Sequence, residues 1–535
     1  MSANASSAVV SQEQLLPFLL DPDSYPHRPR AVQLVQTHAS LVFIAPPYVF
    51  KVKQPVNFGF LDFSTLAQRR HFCEREVALN RRLCPRVYLG VVPITRRDGR
   101  FAFGGDGEVV EYAVWMRRLA ERGFLLHRLR RGRLGRAVLD RLVTVLKAFY
   151  EAQHPTAEIE EWGRVVRLKI STDENFRQTR SYVGKTISPA AFNAIRAFTN
   201  GFFQTRRELF ARRIRERWIR DCHGDLHLDH IHAGPKALHV YDCIEFNDRF
   251  RYVDVASDVA FLAMDLDFHH RPDLAAHFAE RIARALKDRD QPRLLDFYKC
   301  YRACVRGKVE SFRTSAEAAP GAGRREAAER ARRYFQLALR YAVAGSRPLV
   351  LLVMGRIASG KSTLAAALGG ELGWPVVSSD QVRKELAGLP LHERGDAAER
   401  ARLYSPAMTR RTYATLLAAA ARHAAAGESC VLDATFGSVE LRRQAIRRLR
   451  RRGVRFVFVE SLATAASQRR RLAARDRAPG GVSDARLEDR RRLNAAYTAP
   501  RELPAAERMM VCNDGAVGGA VSDCLAKLVR QRMLL

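Results

Sequence analysis

The segment between residues 355 and 363 constrains the fold of this chain more than any other part of its sequence. It reads Gly-Arg-Ile-Ala-Ser-Gly-Lys-Ser-Thr, between the apolar run Leu349–Met354 and the Ala- and Leu-rich stretch Leu364–Leu372. The pattern G-x-x-x-x-G-K-[ST] between a strand and a helix predicts a loop that wraps a phosphate chain. Glycines allow the close backbone approach, and the backbone N–H groups with the helix N-terminus bind the anion.

The pattern assigns a role to each position of this loop. Lys361 is expected to reach the β- and γ-phosphates of ATP, and Ser362 is expected to hold Mg²⁺. The remaining positions are expected to contact the nucleotide, chiefly through their backbone: Gly355, Arg356, Ala358, Ser359, Gly360 and Thr363.

Strand and helix candidates alternate after this loop. The strand candidates are 349–354, 375–378, 429–432, 455–461 and 509–512, and helical stretches at 409–426 and 439–452 lie between them. This alternation predicts a parallel sheet covered by helices on both faces. A linker-like Ala-, Gly- and Pro-rich stretch and a helix candidate precede the first strand. The sequence therefore predicts two domains, 1–344 and 345–535.

Two carboxylates and an arginine follow later strand candidates. Asp380 lies at the carboxyl end of the second strand, where ligands bind in open α/β sheets. A carboxylate there can accept the proton of a hydroxyl group, and Arg383 can bind a phosphate or the substrate. Asp433 ends an apolar strand and suits the Mg²⁺ shell. A structural cap is the alternative role for each carboxylate.

These residues together resemble the P-loop kinases, a group that includes polynucleotide 5′-kinase domains, zeta-toxin-like kinases and small-metabolite kinases. The resemblance covers nearly all of residues 345–535 and implies ATP-dependent phosphorylation of a hydroxyl group. It implies that Asp380 is the acceptor-side carboxylate and that Arg471 and Arg475 close over the nucleotide. A solvated helix face is the alternative for this arginine run. Because the group acts on very different molecules, the resemblance names no substrate.

The strongest signal in the first half is the segment 222–230, which reads Cys-His-Gly-Asp-Leu-His-Leu-Asp-His. A short apolar strand follows it and ends in Asp242. The carboxylates of Asp225 and Asp242 supply what phosphoryl transfer needs, since one accepts the hydroxyl proton and the other holds Mg²⁺. The His-x-Asp-x-x-x-x-Asn pattern is the catalytic loop of kinase-like folds. In the form H-G-D-x-H, this segment resembles the aminoglycoside phosphotransferase family.

Upstream segments extend this resemblance, which covers about residues 35–310. An alternating strand offers Lys51 as the phosphate-pairing lysine, with Lys53 on the same face, and a helical segment offers Glu76 as its partner. The resemblance implies a bilobal, α+β, protein-kinase-like fold that uses ATP. The joined halves resemble bacterial proteins described as bifunctional aminoglycoside phosphotransferase and ATP-binding proteins, including an AAA-type ATP-binding part.

One position departs from the aminoglycoside phosphotransferase pattern. His230 stands five residues after Asp225, where a metal-binding Asn is expected. Imidazole is a poor ligand for Mg²⁺, which prefers oxygen. Three interpretations of His230 are open: a hydrogen-bonding residue, a ligand of a different metal, or the mark of an inactive domain. The neighbouring histidines leave a zinc site as a further alternative.

Composition excludes some classes of protein and leaves others open. No stretch approaches the ~20 uncharged apolar residues that span a bilayer, and the first twenty residues lack the features of a secretory signal. Nine cysteines without metal-ligand or disulfide spacing predict reduced thiols and a cytoplasmic location. The net charge of +33 includes arginine-rich runs, which are either solvated faces or attract nucleic acid.

The sequence thus predicts an ATP- and Mg²⁺-dependent phosphotransferase acting on hydroxyl groups, with a P-loop half and a kinase-like half. Its expected partners are ATP and a hydroxyl-bearing substrate. Three alternatives remain open. The P-loop half could phosphorylate polynucleotide 5′-hydroxyl ends, it could act on a nucleotide sugar as zeta-toxin-like kinases do, or the protein could sense nucleotides without turnover.

Overall fold

The computed structural model describes residues 10–315, 321–391, 397–477 and 490–534. The chain forms two compact units. Unit 1 comprises residues 1–168 and 208–295, and unit 2 comprises residues 169–207 and 296–535. None of the helices in the described ranges combines the length and apolar character needed to cross a bilayer.

The first part of unit 1 is a six-stranded antiparallel sheet with two helices. The sheet order is β1-β2-β3-β6-β4-β5. Tyr25, Phe43 and Phe50 are buried with Leu15 and Leu19 in its core, which fixes the helix α1 against the sheet. The bounds are α1 Gln12–Leu20, β1 Gln33–Gln36, β2 Ser40–Ala45, β3 Tyr48–Lys53, α2 Leu66–Arg81, β4 Tyr88–Arg97, β5 Arg100–Phe103 and β6 Glu108–Arg117.

Helices and short strands follow this sheet. Helix α4 is amphipathic, because its buried residues recur at intervals of three and four from Leu139 to Tyr150. Helix α9 is buried along its whole length and forms the centre of this part of unit 1. The bounds are α3 Leu125–Arg130, α4 Arg136–Ala152, α5 Ala157–Glu161, α6 Val165–Thr179, α7 Pro189–Thr205, α8 Arg207–Arg215, β7 Ile219–Asp221, β8 Ile231–Ala233, β9 Leu238–Val240, β10 Tyr252–Asp254, α9 Val255–Phe268 and α10 Pro272–Leu286.

Unit 2 is built on a five-stranded parallel sheet of order β12-β13-β11-β14-β15. Residues of α16 and α17 cover one face of the sheet and form a buried apolar cluster with its strands. Helices α13 and α20 pack on the sheet outside this cluster. The bounds are α11 Gln291–Thr314, α12 Gly321–Val343, β11 Leu349–Met354, α13 Lys361–Leu372, β12 Val376–Ser378, α14 Ser379–Ala387, α15 Ala397–Leu403, α16 Pro406–Ala425, β13 Cys430–Asp433, α17 Val439–Arg451, β14 Arg455–Leu462, α18 Ala465–Arg477, α19 Arg490–Ala495, β15 Arg508–Cys512 and α20 Val517–Leu534.

These two architectures confirm the predicted fold class. An α+β part with an antiparallel sheet precedes an α/β part with a parallel sheet and covering helices. Helices α7 and α12, which precede the P-loop part in the chain, pack on each other and on α20 within unit 2. The domain boundary between residues 344 and 345 stays a prediction. The compact unit that contains the parallel sheet also contains α7 and α12, which lie before residue 345.

Candidate active sites

The loop between β11 and α13 needs glycine at two positions. Gly355 has φ +148° and Gly360 has φ +83°, which are conformations that residues with a side chain rarely adopt. A Cβ at residue 355 would lie 2.6 Å from the carbonyl oxygen of Ser461, and a Cβ at residue 360 would lie 2.4 Å from Asn513 Nδ2. The loop is therefore a close-packed turn, and neither position has room for a larger residue.

Two side chains from neighbouring strands hold the loop in place. Ser461 Oγ donates to the carbonyl oxygen of Ser359 at 2.9 Å. Asn513 Nδ2 donates to the carbonyl oxygens of Ser359 and Gly360 at 3.2 and 3.1 Å. With these carbonyl groups bound, the first turn of α13 offers its unpaired N–H groups and the positive end of its dipole to an anion. The sequence did not point to either anchor, although each lies at the carboxyl end of a predicted strand.

The remaining predicted residues of the loop differ in their exposure to solvent. Lys361 begins helix α13, and Ser362 and Thr363 follow it as exposed residues of the first turn. Arg356 is exposed, and its guanidinium lies 5.5 Å from the ring centre of Tyr497. Ile357, Ala358 and Ser359 of the loop are buried.

Asp433 ends strand β13 with its carboxylate buried at the same edge of the sheet. Ser378 Oγ donates to Oδ2 at 3.4 Å, whereas Oδ1 accepts no hydrogen bond from any residue in the described ranges. Burial raises the pKa of this carboxyl group, and Lys361 and Ser362 oppose that shift. A buried carboxylate oxygen without a partner, close to a serine hydroxyl, fits the oxygen ligands that Mg²⁺ requires. Ser362 and Asp433 would hold that ion.

Asp380 and Arg383 lie in the first two turns of α14, directly after β12. Arg383 Nη1 donates to Asp380 Oδ1 at 3.1 Å. The guanidinium of the buried Arg383 stacks on Tyr404, 4.4 Å from the ring centre, and its Nε has no partner among the described residues. Because Ser378 pairs with Asp433 across the parallel strands, Asp380 and Asp433 are brought to one edge of the sheet.

Of the two predicted lid arginines, one is described in full. Arg471 Nη1 donates to the carbonyl oxygen of Ala358 at 3.4 Å, and Nη2 donates to the carbonyl oxygen of Asn513. This guanidinium therefore already contacts the phosphate-binding loop. Arg475 lies in helix α18, but its side chain falls outside the described residues.

In unit 1, two lysines of strand β3 share one buried carboxylate. Lys51 Nζ contacts Glu76 Oε1 at 3.0 Å and Asp242 Oδ1 at 2.8 Å. Lys53 Nζ contacts Glu76 Oε2 at 2.7 Å and also contacts Glu245. The predicted pair of Lys51 and Glu76 is thus brought together, and Lys51 links it to Asp242. Sequence patterns did not indicate that Glu245 would bind the second lysine.

The segment that carries Asp225 is held by an aspartate of the buried helix α9. Asp258 Oδ2 accepts from the backbone N–H of His223 at 3.0 Å and from Tyr150 Oη at 2.9 Å, while Oδ1 accepts from the backbone N–H of Gly224 at 2.9 Å. Three hydrogen bonds to one buried carboxylate make the backbone before Asp225 rigid. The sequence does not indicate that Asp258 would bind the backbone of this segment.

His230 lies between the two predicted catalytic carboxylates. Its Nδ1 lies 2.9 Å from the carbonyl oxygen of Asp225, and its Nε2 lies 3.4 Å from Asp242 Oδ2. Burial, with the nearby His227, lowers the pKa of His230 to about 4, so the imidazole is neutral at pH 7. Burial of the Asp242 carboxyl group acts to raise its pKa. The nearby Lys51 and His230 outweigh this effect and hold the pKa of Asp242 below its usual range.

This second site does not fit Mg²⁺ as the first one does. The side chain beside Asp242, at the position expected to supply an amide oxygen, is an imidazole. Mg²⁺ prefers oxygen ligands in near-octahedral geometry, and imidazole nitrogen suits transition metals better. Unit 1 therefore brings together Lys51, Glu76 and Asp242, with His230 at the position where the sequence pattern predicts a metal-binding Asn.

Comparison with other proteins identifies relatives for most of the chain and for part of its second half. The AAA domain family matches residues 350–500. The uncharacterized protein Rv2004c of Mycobacterium tuberculosis (strain ATCC 25618 / H37Rv) is 33% identical over 457 residues, which are 85% of this chain and 88% of that protein. An uncharacterized protein of Mycobacterium bovis matches equally well.

Solved structures resemble parts of the chain. The ADP-bound aminoglycoside phosphotransferase APH(2'')-Ib is 12% identical, has a TM-score of 0.34, and covers 60% of this chain and 99% of its own. A gluconokinase from Sinorhizobium meliloti 1021 is 19% identical, has a TM-score of 0.24, and covers 35% of this chain and 93% of its own.

Proposed function

This chain belongs to the same family as the uncharacterized protein Rv2004c of Mycobacterium tuberculosis, and on that premise we propose that it is an ATP- and Mg²⁺-dependent phosphotransferase acting on hydroxyl groups. The observation that carries the proposal is the convergence at one edge of the parallel sheet. The phosphate-binding loop, the Asp433 carboxylate oxygen that has no partner among the described residues, and Asp380 with Arg383 all lie there.

The proposed reaction in unit 2 needs few groups. The loop backbone and Lys361 bind the phosphate chain of ATP. Mg²⁺, when bound by Ser362 and Asp433, would neutralise charge on the phosphates. Asp380 accepts the proton of the acceptor hydroxyl as its oxygen forms a bond to the γ-phosphorus, and the bond from that phosphorus to the β–γ bridging oxygen breaks. ADP leaves with the electron pair of that bond.

Arginines at the same edge supply positive charge for this transfer. Arg383 is buried and paired with Asp380, the proposed proton acceptor, which supports a role for Arg383 in binding the acceptor or its phosphate. Arg471 contacts the loop backbone from α18 and would stabilise charge on the transferring phosphoryl group.

We propose that the kinase-like half also binds nucleotide through a lysine and uses a carboxylate as the proton acceptor. Glu76 holds Lys51 in place to pair with phosphate oxygens, and Asp225 is the candidate proton acceptor on a loop that Asp258 holds. The imidazole of His230 at the metal position of this half does not fit Mg²⁺, which prefers oxygen ligands.

The test is transfer of label from γ-labelled ATP in the presence of Mg²⁺. Two acceptor pools would be used, a metabolite extract and oligonucleotides with free 5′-hydroxyl ends. The variants are Lys361→Ala and Asp225→Asn, and Lys185→Ala is the matched control because it removes an exposed lysine of unit 2. We expect Lys361→Ala to lose transfer, and Lys185→Ala to retain it. Equal transfer by Lys361→Ala and the wild type would refute the proposed role of the P-loop half.

The two acceptor pools also separate the candidate substrates. Several arginines of the basic run on α17 are engaged within the chain: Arg442 is buried and bound to Glu502, and Arg447 contacts Glu440 at 2.8 Å. This engagement favours a small hydroxyl compound over a polynucleotide. Label on oligonucleotide ends, sensitive to salt, would reverse that preference.

A further inference from the structure

One carboxylate and two imidazoles lie together beside the catalytic loop of unit 1. Asp225, His227 and His230 each offer a ligand atom, and these atoms all lie within 4.8 Å of one another. His227 Nε2 lies 3.4 Å from Asp225 Oδ2. Donor atoms about 2.1 Å from a shared metal ion stand about 3–4 Å apart, so this spacing suits one ion.

The hydrogen bonds of the histidines distinguish His223, which has a structural role, from His230, which is a candidate metal ligand. His223 uses both ring nitrogens, since Nε2 lies 2.9 Å from the carbonyl oxygen of Tyr241 and Nδ1 accepts from the backbone N–H of Asp225 at 3.3 Å. His230 Nδ1 lies 2.9 Å from the carbonyl oxygen of Asp225 and 3.5 Å from Asp225 Oδ2. That bond places the proton on Nδ1 and leaves Nε2 as an acceptor, the arrangement common in metal-binding histidines.

A fourth donor lies on the far side of His230. Asp242 Oδ2 is 3.4 Å from His230 Nε2, while Lys51 holds the other oxygen, Oδ1, at 2.8 Å. Lys51 therefore orients the carboxylate and leaves Oδ2 toward the imidazole. The side chains of His227 and His230 are 7% and 13% exposed, whereas those of Asp225 and Asp242 are 29% and 36% exposed, so the imidazoles are shielded and the carboxylates remain open to an ion from solvent.

We propose that Asp225, His227 and His230, with Asp242 as a fourth donor, bind a divalent transition metal ion in preference to Mg²⁺. Mixed imidazole and carboxylate donors are the ligands of zinc, iron and cobalt sites in proteins, whereas Mg²⁺ takes oxygen ligands. The substitution of His for the expected Asn is then a change of metal preference, and it need not mark a lost site.

This inference is independent of phosphoryl transfer by unit 2 and bears on the role of Asp225. A carboxylate oxygen bound to a metal ion is a weaker proton acceptor, so metal binding competes with the role proposed for Asp225 as a base. The kinase-like half should therefore respond to transition metals even if the P-loop half proves inactive.

The experiment is a titration of the full chain with Co²⁺ in the absence of nucleotide, followed by visible absorption. Asp433→Asn serves as the background in all samples, because it removes the metal ligand of unit 2. We expect one equivalent of Co²⁺ to bind, Zn²⁺ to displace it, and millimolar Mg²⁺ to leave it in place. His227→Asn and His230→Asn should each weaken Co²⁺ binding by about 100-fold or more. His239→Asn, in the neighbouring strand β9, is the matched control and should bind as the background protein does.

Unchanged Co²⁺ affinity in folded His227→Asn and His230→Asn proteins would overturn the proposal, as would displacement of Co²⁺ by Mg²⁺ at equal concentration. X-ray absorption of the Zn²⁺-loaded protein keeps the proposal testable if the variants do not fold. Imidazole scattering around zinc supports the site, and a shell of oxygen atoms alone overturns it.

Discussion

Replacing Lys53 by methionine should cost unit 1 much of its stability, because Lys53 neutralises two buried carboxylates. Lys53 and Glu76 have side chains with no exposure, and Glu245 is 7% exposed. Breaking a buried ion pair by removing one partner costs about 3–5 kcal/mol. That is a large part of the ~5–15 kcal/mol that stabilises a typical domain. Lys51→Met is the matched control, since Glu76 then keeps Lys53, and its expected cost is about 1–2 kcal/mol.

Urea unfolding followed by tryptophan fluorescence measures these costs. Three of the four tryptophans lie in unit 1, so the signal reports mainly on that unit: Trp115, Trp162 and Trp218. The free energy of unfolding should fall in the order wild type, Lys51→Met, Lys53→Met. A Lys53→Met protein as stable as Lys51→Met would refute the account of the two lysines.

The pH dependence of the free energy of unfolding tests whether buried, unneutralised carboxylates cause the loss of stability. Burial raises the pKa of Glu245, and Lys53 opposes this shift. An acid with a raised folded-state pKa stabilises the fold below its unfolded pKa, and this contribution is lost as the pH rises through the folded pKa. Without Lys53 that folded pKa rises further. The stability deficit of Lys53→Met should therefore shrink as the pH falls from 7 toward 5, and a constant deficit would contradict the electrostatic explanation.

Three further predictions concern other parts of the chain. Gly360→Ala should lose binding of a fluorescent ATP analogue while keeping its circular dichroism spectrum, because the added Cβ would lie 2.4 Å from Asn513 Nδ2; wild-type affinity would contradict the described loop. Asp258→Asn should lower the unfolding free energy by about 2 kcal/mol, since an amide cannot accept all three hydrogen bonds; no change in urea unfolding would count against it. A thiol reagent should label Cys512 first, as the other eight cysteines are buried; a fast phase that survives in Cys512→Ser would show this assignment to be wrong.

The sequence predicts the parallel sheet of unit 2 closely. Strand β11 occupies the predicted bounds, because a short continuous apolar run followed by a glycine-containing loop is typical of a buried strand of a parallel sheet. Helix α17 ends within one residue of its prediction, since its apolar and basic residues alternate with helical period. Local patterns therefore determine these elements.

Tertiary partners were not accessible from those patterns. Helix α7 packs on α12 and α20, which lie far away in the sequence, and hydrophobic periodicity does not state which helices meet. The same limit applies to the sites. The pairing of Lys51 with Glu76 could be predicted because a known motif supplies both residues. The contacts of Asp258 and Asn513 could not, because a lone polar residue carries no sign of the backbone groups it will bind.

The most direct measurement of the central claim is the fate of the γ-phosphoryl group in unit 2. Wild-type protein would be incubated with γ-labelled ATP, Mg²⁺ and the metabolite pool, and the label would be separated into inorganic phosphate and phosphate esters. We predict label in an ester that is stable in mild acid, and its loss in Lys361→Ala but not in Asp225→Asn. Tight ATP binding with no ester, or with label only in inorganic phosphate, would contradict the claim and favour a nucleotide-sensing protein.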